Sequence, residues 1–145
     1  MQHAFRAGGR GRPVTMLGPA PGAPLELTVR VPDGVDRDHR GPIGTFTVAN
    51  PGDRTVEGRS GPAAWAWVAR DGVVVSEPGA MPAVAVPVEL APGQSFTSDL
   101  YSLLPDGGAE ALPPGRYEVY VRWDLRDHDG TEIALYAGPT GFELR

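Results

Sequence analysis

LPPGRYEVYVRWDLR, the stretch at residues 112–126, opens with a Pro-Gly turn and continues as an alternation of apolar and polar side chains. The apolar phase contains Tyr117, Val119, Val121, Trp123 and Leu125. The opposite phase contains Glu118, Tyr120, Arg122, Asp124 and Arg126. Alternation of this length is typical of an antiparallel strand with one face against a core and the other in water. The stretch therefore predicts a two-sheet β-sandwich.

Shorter alternating segments lie on both sides of this strand and are separated by turn residues. The chain has 145 residues with 20 Gly and 16 Pro, a composition that disfavours long helices. Pro87 cannot donate a ladder hydrogen bond, so AVAVPVEL at residues 83–90 predicts an edge or interrupted strand. The fold class predicted is all-β, an immunoglobulin-like antiparallel β-sandwich of about seven to nine strands, with a closed barrel as the alternative.

The aromatic residues divide according to strand phase. Trp65 and Trp67 share one face of their segment, and together with Tyr117 and Trp123 they occupy the predicted inward phase. Burial of such large side chains stabilises a core, so we expect these four in the core rather than in a platform for stacking sugars. Tyr117 also follows a turn at the start of the long strand, where a tyrosine corner would lie. Tyr120 has the outward phase, which makes it a candidate for a partner surface.

Composition predicts two parts of the chain with different character. Residues 1–23 are rich in Gly, Pro and Arg and predict a flexible arm, whereas residues 24–145 predict one sandwich domain. The chain has no cysteine, which excludes disulfides and thiolate metal sites. It also has no apolar run long enough for a secretory signal or a membrane span, so we expect a cytoplasmic protein that does not bind membranes.

Charge and motifs argue against several classes of function. The net charge is -5, and the arginines are scattered along the chain, so we expect no nucleic-acid partner. The sequence has no G-x-S-x-G elbow, and no glycine-rich phosphate loop lies between a strand and a helix. We therefore expect a protein that is not an enzyme, with no catalytic residues and no cofactor.

Several short motifs in the same order carry a resemblance to a known family. Ser60-Gly61 followed by WAWVARDG at residues 65–72 resembles the core of the bacterial intracellular proteinase inhibitor (BsuPI-type) domain. Asn50, LAPG at residues 90–93 and PGRYEV at residues 114–119 resemble the turn and strand motifs of that family. The resemblance implies an immunoglobulin-like fold from about residue 25 to residue 144, and protease inhibition as one activity.

These observations predict a non-enzymatic protein-interaction domain, a proteinase-inhibitor-like module that acts through end loops. Loops at residues 76–82 and 102–114 are the candidates, because proline-stiffened loops lose less entropy on binding. The predicted partner surface consists of Pro78, Met81, Pro82, Leu103, Leu104 and Tyr120. A protease is one candidate partner and a second copy, paired through residues 84–90, is another. The alternative function is a small-ligand or carbohydrate-binding module with exposed aromatic side chains.

Two similar loops, RDHRG at residues 37–41 and RDHDG at residues 126–130, contain potential metal ligands. If they met at one end of the sandwich, their carboxylates and imidazoles could bind a divalent cation. The residues concerned are Asp36, Asp38, His39, Asp127, His128, Asp129 and Glu132. Asp, His and Gly are also ordinary turn formers, and we favour that interpretation, so we expect no metal site.

Overall fold

The computed structural model describes residues 5–7, 11–16, 23–36, 39, 41–79, 81–102 and 112–145. Its strands are β1 (Phe5–Ala7), β2 (Val14–Met16), β3 (Glu26–Arg30), β4 (Gly34–Val35), β5 (Gly44–Ala49), β6 (Val56–Ser60), β7 (Trp65–Arg70), β8 (Val73–Ser76), β9 (Val86–Leu90), β10 (Ser95–Leu100), β11 (Gly115–Arg126) and β12 (Glu132–Leu144). The described part of the chain contains no helix with the length and apolar character needed to cross a membrane.

The strands form two main sheets, so the predicted all-β sandwich is confirmed. One sheet has the order β10-β5-β3, and the other is centred on β11. On one side β11 pairs with β12, and on its other side it pairs with both β6 and β7. β9 extends the sheet from β6, and β8 extends it from β7. The strand count exceeds the predicted range because short pairings, such as β1 with β2 and the parallel pair β4 and β12, are invisible to alternation.

The core lies between the two sheets and contains the apolar phase of β11, as predicted. Tyr117, Val119, Val121, Trp123 and Leu125 are all at most 2% exposed. The remaining core side chains are Leu25, Val35, Ile43, Phe46, Val48, Ala64, Ala66, Val68, Leu90, Leu100, Leu135, Phe142 and Leu144. Burial of each large side chain contributes about 1.5–3 kcal/mol, so this layer stabilises the domain without disulfides.

The predicted tyrosine corner is present at the start of β11. The Tyr117 hydroxyl donates a hydrogen bond of 2.6 Å to the carbonyl of Pro113. The Arg70 guanidinium donates to the same hydroxyl over 3.1 Å and lies 5.2 Å from the centre of the Tyr117 ring. Phe142 stacks on the same ring, with 6.0 Å between the ring centres. These contacts fix the turn that precedes the longest predicted strand.

Asn50 connects two turns, the one that follows β5 and the one between β9 and β10. Its side-chain amide donates to the carbonyls of Arg54 at 2.7 Å and Leu90 at 2.9 Å, and its side-chain oxygen accepts from the Gly52 amide at 3.0 Å. Its backbone also pairs with Gly93 and Gln94. Because Asn50 is only 2% exposed, these bonds satisfy polar groups that water does not reach.

The predicted inward phase of β7 is wrong. Trp65 and Trp67 share a face, as expected, but they are half-buried on the outer side of the sheet, while Ala66 and Val68 face the core. The register explains this, because Trp67 lies opposite Tyr120 of β11, an outward position. The segment WAWVA has apolar residues in both phases, so its alternation alone does not identify the inward side.

Tyr120 has the predicted outward phase, but its predicted exposure is wrong, since the side chain is only 6% exposed. The outer face here contains a second apolar cluster, because Ala69 and Val74 are also buried there and lie outside the main core. Tyr120 also lies in a bulge, where the pairing of β11 with β12 shifts between Val119 and Val121. Burial, followed by the charge and hydrogen bond of Glu118, raises the pKa of Tyr120.

Part of the segment predicted to be a flexible arm is hydrogen-bonded to the free edge of β8. The Gly11 amide donates to Val74 over 2.7 Å, the Val74 amide donates to Arg12 over 2.8 Å, and the Val14 amide donates to Gly72 over 2.7 Å. An edge strand offers unpaired backbone groups, which explains why a polar, glycine-rich segment pairs there without a hydrophobic pattern of its own.

Candidate interaction surface

The connection from β8 to β9 contains a stretch without charged residues, and residues 82–86 at its end are exposed. No charged residue occurs between Glu77 and Glu89. Residues 81–86, MPAVAV, are called the apolar strip here; Val84 is 56% exposed and Val86 is 37% exposed. Pro82 at the start of the strip and Pro87 after its end restrict the backbone and favour extended conformations in the residues before them. The strip therefore presents apolar side chains to solvent in an extended backbone of limited freedom.

The start of the strip packs against the connection between β6 and β7. A Cβ atom built on Gly61 would lie 2.8 Å from the Met81 sulfur, so Gly61 leaves the space that Met81 fills. Pro78, Met81 and Pro82 line a hollow of about 210 Å³ together with Trp65 and, from the segment after β10, Tyr101. Two segments far apart in sequence therefore meet at one surface.

The structure brings together three of the six predicted surface residues. Pro78 and Met81 are half-buried and Pro82 is exposed, all at this hollow. Tyr101, 54% exposed, extends the same apolar surface. Leu103 and Leu104 lie outside the described residues. The buried Tyr120 does not belong to the hollow.

A groove of about 650 Å³ follows the apolar strip on the outer face of the sheet. One side is residues 81–85, and the other contains Trp65, Arg59, Asp124 and Arg126. An apolar side and a charged side therefore face the same space. Sequence reasoning missed this groove, because it depends on the pairing of β6 with β11, which local patterns do not specify.

Arg122 is fixed beside this groove by two carboxylates. Its guanidinium donates to Asp124 at 2.8 Å and to Glu132 at 2.9 Å, and it lies 5.9 Å from the centre of the Tyr136 ring. Burial tends to lower the pKa of Arg122, but the hydrogen bond and charge of Asp124 outweigh burial, so the pKa is raised. Both acids are therefore already engaged by one arginine.

The two sheets separate along one side of the sandwich, between β9 and β10. A groove of about 710 Å³ opens there, and its aromatic lining consists of Phe46, Phe96 and Trp123. Phe96 lies 6.2 Å from Phe46 and 5.8 Å from Trp123, measured between ring centres. Val86 and Val88 of β9 also line the groove.

The predicted edge position of β9 is confirmed within the described chain, where β9 pairs with β6 alone. Pro87 lies opposite Arg59 in this antiparallel ladder. Since proline has no N–H, the two form a pair that exchanges no hydrogen bonds, and the backbone of Pro87 points away from β6. Pro87 therefore removes a donor from the free edge, which opposes strand addition there, including the predicted pairing with a second copy.

The two loops considered for a metal have turn contacts in the structure. The Asp127 carboxylate accepts hydrogen bonds of 2.9 Å from the backbone amides of Asp129 and Thr131. His128 lies 3.1 Å from the Glu57 carboxylate, a contact that sequence reasoning did not anticipate. A ring nitrogen of His39 lies 2.8 Å from the Pro42 carbonyl oxygen. Across the described ranges, no group of three or more His, Asp or Glu side chains is arranged to hold a metal ion.

Comparisons with known proteins give no family for the chain. No family model matches it, and no curated protein matches it in sequence. Among solved structures, the chain is similar to the crystal structure of a mutant β-glucosidase from Listeria innocua in complex with laminaribiose, with 18% identity and a TM-score of 0.41. The alignment covers 79% of this chain and 16% of the glucosidase chain. A likeness at this level carries no conclusion about activity or ligand.

Proposed function

We propose that this protein is a non-enzymatic interaction domain that binds a partner protein through the apolar strip and the adjoining hollow. The observation that carries the proposal is the exposure of an uncharged segment, with Val84 56% exposed, beside Trp65 and the 54% exposed Tyr101. Contiguous exposed apolar surface is uncommon on proteins without a partner, and aromatic side chains and Met are enriched where proteins meet.

The backbone of the strip supports the same proposal on entropic grounds. A segment limited by Pro82 and Pro87 has few conformations to lose, so more of the contact free energy remains as affinity. Met81 adds an adaptable side chain that can fit an irregular partner surface. An extended partner segment fits this geometry, because it can align its own side chains with successive exposed residues of the strip.

Protease inhibition is the specific form of this function that we propose first. An extended, stiff and solvent-exposed segment can enter a protease cleft, and the resemblance of the chain to BsuPI-type inhibitor domains supports the same partner class. Such a partner would be an intracellular bacterial protease, which would place this protein in the cytoplasm.

The test is to incubate the full chain with a panel of serine proteases and to measure residual protease activity and cleavage sites by mass spectrometry. We expect inhibition of at least one protease, no cleavage within residues 78–87, and loss of inhibition in Val84→Asp. Thr28→Asp, an exposed position on the other sheet, is the matched control and should inhibit as the natural chain does. Cleavage of the strip at ordinary substrate rates would overturn the inhibitor function.

A small-ligand module is a second candidate, and the groove between β9 and β10 favours it. Its volume of about 710 Å³ lies in the range of ligand sites, and Phe96 and Trp123 line it. An apolar molecule entering the groove would change the fluorescence of the chain, and Phe96→Ala would abolish the change. The carbohydrate form of this function is less favoured, because Tyr117 and Tyr120 are buried and Trp123 is only 2% exposed, too little for a sugar to stack on its ring.

A further inference from the structure

Two arginines lie side by side across neighbouring strands at the end of the charged groove. Arg59 of β6 is the direct partner of Arg126 of β11 in the antiparallel register, and both residues are exposed. Directly opposed side chains in such a pair are about 4.5–5.5 Å apart at Cβ, and like charges placed there destabilise the sheet. The fold thus accepts a repulsive pair at its surface.

Among the described residues, no salt bridge shorter than 4.0 Å connects either arginine of this pair to a carboxylate. Asp124 and Glu132 are the nearby carboxylates on β11 and β12, and both bind Arg122 at 2.9 Å or less. Arg126 reaches Glu132 only at 4.0 Å, with its own side chain 69% exposed. In the described part of the chain, no salt bridge connects Arg59 to a carboxylate. The pair therefore remains available to an anion from outside.

The two arginines lie across a groove from the apolar strip. Both arginines line the groove whose other side is residues 81–85. They also line a second hollow, of about 460 Å³, whose lining includes the acidic residues Glu57, Glu89 and Asp127. Those acids would repel additional negative charge beyond the pair. The two arginines therefore favour a partner with one acidic group next to an apolar segment. A partner with several consecutive acidic residues would be repelled by the neighbouring carboxylates.

We propose that the partner of the apolar strip is an extended protein segment in which a single Asp or Glu is flanked by apolar residues. This inference rests on the proposed function. The apolar residues contact Met81, Val84 and Trp65, while the carboxylate accepts hydrogen bonds from Arg59 and Arg126. A guanidinium binds a carboxylate through two parallel hydrogen bonds, which gives both strength and orientation. Relief of the repulsion between the two arginines adds to the preference for an acid.

The experiment selects peptides from a random display library on the immobilised full chain. We expect enriched peptides to contain one Asp or Glu among apolar residues. A synthetic copy of an enriched peptide should bind about tenfold more tightly than its Asp→Asn or Glu→Gln analogue, as expected for one partly exposed charge-assisted contact. Because the contact is exposed, this ratio should fall at high salt.

Charge reversal identifies the recognising side chains. Arg59→Glu should remove the preference for an acid and favour Lys or Arg at the same peptide position. Arg30→Glu, an exposed arginine on the other sheet, is the matched control and should leave the preference unchanged. Arg59→Glu converts a repulsive pair into an attractive one, so its unfolding midpoint should not fall. If Arg59→Glu does not fold, Arg59→Ser provides the same test through loss of the preference.

The outcomes separate the inference from the function on which it rests. Peptides that lose binding in Val84→Asp but show no acidic preference would overturn the inference and leave the interaction function standing. Peptides whose binding is unchanged in Val84→Asp, or a library that yields no enrichment, would overturn both. If the Arg59→Glu variant still preferred peptides with Asp or Glu, residues other than Arg59 would recognise the carboxylate. That result would also overturn the inference.

Discussion

The β11–β12 pair and the apolar strip both contain large apolar side chains, but the surroundings of these side chains differ. Val119 and Phe142 are fully buried because the opposite sheet covers them, whereas Val84 is 56% exposed. β11 has strand neighbours on both of its edges, whereas the strip ends at the first residue of β9, a strand that pairs on one side only among the described residues. Hydrophobic residues thus stabilise the fold in the first region and remain available to a partner in the second. Mutations in the two regions should therefore have different consequences.

The largest effect on stability is expected in the covered region. Phe142→Ala removes a ring that is fully buried and stacked on Tyr117 at 6.0 Å, so the free energy of unfolding should fall by about 3–5 kcal/mol. Val84→Ala in the strip should change it by less than about 0.5 kcal/mol. Urea denaturation followed by circular dichroism measures both. A decrease of more than about 2 kcal/mol in the free energy of unfolding of Val84→Ala would show that the strip stabilises the fold. The distinction between the covered region and the strip would then be wrong.

A somewhat smaller effect is expected where a polar residue, rather than an apolar one, holds the covered region together. Asn50→Ala removes the donor to the carbonyls of Arg54 and Leu90 and should reduce the free energy of unfolding by about 2–3 kcal/mol. Gln94→Ala is the control, since its side chain makes one exposed bond, to the Ala91 amide. Equal decreases in the free energy of unfolding of Asn50→Ala and Gln94→Ala would contradict the view that the buried hydrogen bonds of Asn50 stabilise the fold more than an exposed one.

The tyrosine corner gives a third, more limited test. Tyr117→Phe keeps the ring and its packing but removes the hydroxyl that donates to Pro113 and accepts from Arg70, so we expect a loss of about 1 kcal/mol in thermal or urea unfolding. Tyr101→Phe, at an exposed tyrosine beside the strip, should have no measurable effect. The same two variants also separate the regions functionally, because only Tyr101 lies at the proposed interaction surface. An unchanged stability in Tyr117→Phe would mean that water replaces the lost bond.

The same contrast explains how far sequence could predict the structure. Alternation identified β11 and its inward side chains, because period-two patterns reflect one buried face. Turn chemistry located Tyr117, and the missing N–H of Pro87 indicated an edge. Local pattern failed at Trp65 and Tyr120, since an outward phase does not specify whether something covers that face. The opposition of Arg59 and Arg126 depends on the register between distant strands, which no local signal encodes.

The smallest predicted effect concerns the apolar cluster on the outer face. Burial, reinforced by Glu118, raises the pKa of Tyr120 above its ordinary value of 10.0. At pH values well below 10 the phenol is neutral in both states, and the stability from its neutral form is fully present. Above pH 10 the unfolded state ionises first, so the free energy of unfolding falls as pH rises towards the folded-state pKa.

Urea denaturation between pH 8 and about pH 11 should therefore show a shallower decline in stability for Tyr120→Phe than for the natural chain. Equal slopes in the two proteins would mean that Tyr120 ionises as readily in the folded chain as in the unfolded one. In that case the outer face would be open to water, and Tyr120 would become available to a partner as its strand phase predicts.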